Sequence, residues 1–154
     1  MNKPSAGITL VEILVSLAIF IILATITTVS LSGYRSSKLV ETTANEIAFK
    51  LEEAKTNALA GKAGSSYGLH FASTSYTYFK GSSYNSSDVS NISPTFPSEL
   101  QITTSLTGSA VNIIFSRLTG TPNVTGTITV RKTSDTSKTK TITIGTLGDI
   151  SVVQ

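Results

Sequence analysis

The chain has 154 residues and no cysteine, so disulfides and thiolate metal sites are excluded, and its length suits one domain beside an apolar front segment. A net charge of +3, with only 14% of residues charged, is too mild to point to nucleic acid by itself. Beyond Gly61 the chain is filled with Ser, Thr, Asn and Gly, a surface chemistry that suits an exported protein.

The front end reads Lys3-Pro4-Ser5-Ala6-Gly7-Ile8-Thr9-Leu10-Val11-Glu12, then an apolar run to Leu31. From Ile8 to Leu31 Glu12 is the only ionisable residue, and no proline or glycine interrupts. At about 1.5 Å rise per residue this is roughly 36 Å of helix, enough to cross a hydrocarbon core of about 30 Å with some tilt. A carboxylate at that depth is expensive and marks a site with a partner. The run is too long for a secretory signal core, and its small residues precede it rather than close it. Lys3 before the run and Arg35 and Lys38 after it leave the charge rule for orientation close to a tie.

Past Leu31, the residues Leu39, Val40, Ala44, Ile47, Ala48, Leu51, Ala54, Ala58 and Leu59 recur at spacings of three and four, the stripe of an amphipathic helix. Gly61 and Gly64 supply stop signals. One helix is expected from Ile8 to Ala60, apolar all round in its first half and one-sided in its second. Gly33 is the place where a bend is expected.

From Tyr67 the period changes to two. Tyr67–Phe71 and Ser75–Lys80 flank a short turn and predict a hairpin. A Ser/Asn-rich loop follows from Gly81 to Asn91, with Pro94 and Pro97 ending it. Further strands are predicted at Glu99–Ser105, Val111–Ser116, Thr125–Thr133, Lys138–Gly145 and Asp149–Val153. In the third and fourth of these, isoleucine and valine alternate with threonine. The predicted class is α+β: a long N-terminal helix packed on a small antiparallel β-sheet domain. The expected divisions are 1–7, 8–31, 32–60 and 61–154.

Small residues, a glycine, then Ile-Thr-Leu-Val-Glu and a long apolar helix resemble the prepilin signature of type IV pilins and type II secretion pseudopilins. The resemblance implies that residues 1–7 are a leader cleaved after Gly7 by a prepilin peptidase, and that Ile8 becomes the N-methylated first mature residue. It makes Glu12 the fifth-position glutamate, one helical turn after Ile8 and able to pair with the amine of a neighbouring subunit. At about 4 Å and an effective dielectric near 20 that attraction is about 4 kcal/mol before desolvation, enough to favour one axial register.

The tail narrows the resemblance. Phe96-Pro97-Ser98-Glu99-Leu100-Gln101-Ile102, Ile113-Ile114-Phe115-Ser116-Arg117-Leu118-Thr119-Gly120-Thr121-Pro122 and Ile142-Thr143-Ile144-Gly145-Thr146-Leu147-Gly148-Asp149-Ile150 are similar to H-type minor pseudopilins and FimT minor pilins. Major pilins are the nearest rival. They usually carry a proline in the apolar helix, and many close a C-terminal loop with a disulfide; this chain has neither. The implied partners are other pilin or pseudopilin subunits through the N-terminal helix, the prepilin peptidase and the inner-membrane assembly platform. The implied location is the bacterial cytoplasmic membrane, single-pass, with the β domain periplasmic or extracellular, then a pilus or pseudopilus.

Chemistry beyond assembly has little support in the residues. His70, the single histidine, alternates with Leu69 and Phe71 and is expected on the opposite strand face. No cofactor, metal or catalytic constellation is expected, and the reading is not an enzyme. Arg131, Lys132, Lys138 and Lys140 gather at the ends of a predicted hairpin, with Arg117 on another turn. Some FimT-type minor pilins bind DNA through basic residues near the final glycine, which makes these five the candidate DNA contacts of an alternative reading in DNA uptake. The corresponding stretch here, Gly145–Ile150, carries an acid and no arginine. Lysines that protect a strand edge are the plainer explanation, as core packing is for Tyr76, Tyr78 and Tyr84.

Overall fold

The computed structural model describes residues 7–153, and side chains there except those of residues 25–32. The expected leader, apart from Gly7, lies outside the described residues. The chain divides into two compact units, Met1–Ser36 and Ser37–Gln154. One helix, α1, runs Leu10–Leu59 and belongs to both; its helical assignment continues through Gly33. Seven strands follow: β1 (Tyr67–Ala72), β2 (Ser75–Lys80), β3 (Leu100–Leu106), β4 (Asn112–Phe115), β5 (Gly126–Lys132), β6 (Thr139–Ile144) and β7 (Ile150–Val153). Each predicted strand exists, displaced at its ends by a residue or two.

In the first unit every described side chain of the helix as far as Ala24 is exposed. Among the described residues no helix is long and apolar enough to cross a membrane. The expected span to Leu31 takes in residues 25–31, whose side chains are outside that description.

In the second unit the predicted stripe is buried. Val40, Ala44, Ile47, Leu51, Ala54 and Ala58 are sealed in the core, with Leu39 and Ala48 packed on its rim. Three of the six sealed residues are alanines. The strands form two antiparallel sheets, β2-β1-β4 and β3-β5-β6-β7, in keeping with the small antiparallel β-sheet domain expected. The four-stranded sheet keeps the register that the alternation predicts. Ile128 pairs with Ile142 and Ile142 with Val152, so the aliphatic rows share the core-facing side while Thr127, Thr129, Thr141 and Thr143 share the other. The sheets meet where the Ile102 amide donates to the Ser73 carbonyl at 2.8 Å.

The Ser/Asn-rich loop after β2 is a cover rather than a free excursion. Ile92 exchanges backbone hydrogen bonds with Tyr78 at 2.9 Å, and the Thr77 and Ser93 hydroxyls lie 2.8 Å apart. Tyr84 stacks on His70 at 4.0 Å and meets Phe79 edge-on at 5.4 Å. His70 therefore sits on the face away from Leu69 and Phe71, as expected, held also by the Asn112 side chain at 2.6 Å.

Three polar ties fasten α1 to the strands. The Tyr76 hydroxyl donates to Glu46 at 2.7 Å, Asn57 donates to the Tyr78 hydroxyl at 2.8 Å, and Lys55 donates to the Gly148 carbonyl at 2.7 Å. Burial, then the hydrogen bond to the Glu46 carboxylate, pushes the Tyr76 phenol well above the ordinary tyrosine range. Burial raises Tyr78 in the same direction, against its Asn57 hydrogen bond. Because the unfolded chain releases these protons near pH 10 and the folded chain holds them, stability is complete below that pH and declines above it. Tyr76→Phe is expected to flatten the fall in melting temperature above about pH 10; an unchanged slope would remove Tyr76 from the account.

Candidate assembly site at the helix start

Thr9 caps α1. Its hydroxyl accepts from the Glu12 amide at 3.3 Å, and its carbonyl accepts from Glu12 and Ile13 at 3.1 and 3.3 Å. Thr9-Leu10-Val11-Glu12 has the spacing of a capping box, with the acid in the first turn where the helix dipole favours it. The sequence reading passed over Thr9, although the Thr-x-x-Glu spacing was available as a signal. Ile8, Glu12, Ile13, Ser16, Leu17 and Phe20 line one open groove of about 490 Å³ along the helix face. Ile8 is 73% exposed and Phe20 71%. The one carboxylate of this face therefore stands in an apolar strip with Ile8 one turn before it.

The five basic residues do not form one surface. Arg131 faces the threonine side of the sheet and donates to the Gln101 side chain at 2.8 and 3.2 Å. Lys132 is paired with Glu99 at 3.4 Å. Arg117 lies at the far end of α1, where its amide donates to the Ser66 hydroxyl at 3.2 Å and Leu118 donates to the Ala58 carbonyl. Lys138 and Lys140 lie beside Ser37 and Val40 at the other end of that helical stretch, roughly 30 Å away by helix rise. Tyr76 and Tyr78 are core residues, and Tyr84 is engaged by His70 and Phe79. The flat aromatic platform that single strands stack on is absent from these residues.

Residues 2–28 match the family model for the prokaryotic N-terminal methylation motif. No curated protein matches the chain. Two solved structures are similar in fold. One is the minor pseudopilin EpsH from the type 2 secretion system of Vibrio cholerae, at 14% identity and TM-score 0.57, covering 74% of this chain and 95% of that one. The other is the type IV minor pilin FimU of Pseudomonas aeruginosa, at 12% identity and TM-score 0.55, covering 74% of this chain and 92% of that one. The chain therefore carries the prokaryotic N-terminal methylation motif at its front, and its fold is similar to that of these two solved structures.

Proposed function

We propose that this protein is a structural subunit, a minor pilin or pseudopilin, made as a membrane-held precursor and built into a filament through α1. A prepilin peptidase removes Met1–Gly7, Ile8 becomes the methylated amino terminus, and an inner-membrane platform assembles the subunit. Residues 8–31 hold the precursor in the cytoplasmic membrane, with residues 61–154 on the periplasmic side and later on the filament surface. Glu12 then meets the cationic amine of a neighbouring Ile8 in the packed helices. The observation that carries this reading is the methylation motif at residues 2–28 on a helix start whose described apolar side chains are exposed.

Intact-mass spectrometry of the protein recovered from its native membranes is the direct test. The expected mass lacks Met1–Gly7 and carries one added methyl group. A mass that retains the leader would reduce the protein to a membrane-anchored β domain that never polymerises.

A further inference from the structure

The β5–β6 hairpin carries two lysines in register with its core-facing residues. Lys140 pairs with Val130 and alternates with Ile142 and Ile144, both sealed in the core, so it shares their side of the sheet. Lys138 has the same parity. The outward positions between and beyond them belong to Thr139, Thr141 and Thr143. Lysines that only solubilise an edge have no reason to take the inner face. Here both are half-buried and, with Ser37, Val40, Ser137 and Thr139, line a cleft of about 150 Å³ beneath the first turn of the second unit's helix.

The acidic groups around this cleft have hydrogen-bond partners of their own, and the charges of Lys140 and Lys138 act on Glu41 and Asp135 as lesser influences. Glu41 is bonded to Lys38 at 3.0 Å, and that hydrogen bond, ahead of the more distant charge of Lys140, holds its carboxyl below the ordinary range. Asp135 accepts from the Ser137 amide at 3.1 Å and the Ser137 hydroxyl at 2.6 Å. Among the described residues neither Lys138 nor Lys140 is in an ion pair. Two ammonium groups beside a one-group cleft suit a tetrahedral oxyanion, since lysine binds phosphate as a point charge.

We propose that this cleft binds the phosphate of an anionic phospholipid headgroup. The lipid source rests on the membrane reading above. Ser37 follows Leu31, the end of the apolar run, by only a short stretch of sequence, so basic groups beside it are within reach of the anionic headgroups of the leaflet where the proposed span ends, an attraction that salt screens. DNA is the weaker occupant, because Arg131, Lys132 and Arg117 are held elsewhere and one small cleft does not track a backbone.

The test places the full chain in nanodiscs of phosphatidylcholine with and without phosphatidylglycerol and follows the amide resonances of residues 37–40 and 137–140. Phosphatidylglycerol is expected to shift both groups together, with the shift shrinking as salt is raised. Lys138→Gln/Lys140→Gln is expected to lose the shift while core resonances such as Ile113 and Phe115 stay in place, and Lys138→Arg/Lys140→Arg is expected to keep it. A chain that enters the nanodiscs but shows no phosphatidylglycerol-dependent shift overturns the proposal alone. A chain that does not enter them overturns the membrane reading and the lipid source together. Equal shifts produced by inorganic phosphate or by a DNA oligonucleotide in pure phosphatidylcholine discs would overturn the lipid assignment.

Discussion

Glu12→Ala is expected to leave leader removal intact and to abolish recovery of the subunit in filaments. On the proposed reading, cleavage after Gly7 draws on the residues flanking the bond, whereas assembly needs a carboxylate opposite a neighbour's new amine. An attraction of about 4 kcal/mol before desolvation corresponds to a preference of nearly three orders of magnitude for one register. Losing it also leaves the neighbouring ammonium unpaired in apolar surroundings, which is costlier than the lost bond. Thr9→Ala separates the two roles that meet at this turn. It removes the cap, at about 1 kcal/mol, and leaves the carboxylate, so filaments are expected to form. Sedimentation of sheared filaments against the membrane fraction reads both variants, and normal incorporation of Glu12→Ala would end the pairing model.

The largest folding effect is expected at Gly126, where β3, β5 and β6 meet. Gly126 pairs with Leu106 on one side and Ile144 on the other, with φ of 139°. An added Cβ would collide with the Ser105 carbonyl oxygen and stand 2.9 Å from the Leu106 Cα. Neither obstacle is the movable end of a side chain. Gly126→Ala therefore combines backbone strain with a clash against a buried strand, and a loss of about 3 kcal/mol or more is expected. In a domain of this size that lowers the melting temperature by more than about 10 °C. Gly64 has φ of 64° and open space around its Cα, so Gly64→Ala should carry only the left-handed penalty of about 1–2 kcal/mol. Melting curves of the two variants in detergent check the contrast, and equal losses would refute the steric account.

Much of this fold is legible in the sequence because its signals are local. The three-four spacing from Val40 to Ala58 set the buried helix face, and the Ile/Thr alternation set which side of β5 and β6 faces the core. What stayed hidden depends on distant partners. Nothing near Tyr67 announces that β1 pairs with β4, a contact across forty-odd residues that splits the strands into two sheets. The loop from Gly81 reads as solvent-facing by composition, yet Tyr84 finds His70 only once β1 is in place. The same holds for the basic residues. Sequence shows five cations near two turns, while pairing register decides that Arg131 faces outward and Lys140 faces the helix. At the helix start the difficulty was of another kind. Glu12 drew attention as a buried charge, and its neighbour Thr9 was overlooked because a cap is a quiet, common feature.

The way α1 is fastened in the second unit has a mechanical consequence. From Val40 to Ala58 one face of the helix is sealed in the core, and Glu46, Lys55 and Asn57 tie it at separate points. A pull along the helix axis loads these contacts side by side, so they must slip together. Peeling the helix outward would load them one after another and needs far less force. A pull along the helix axis thus loads the second unit in its resistant direction, the property that the proposed reading as a filament subunit calls for.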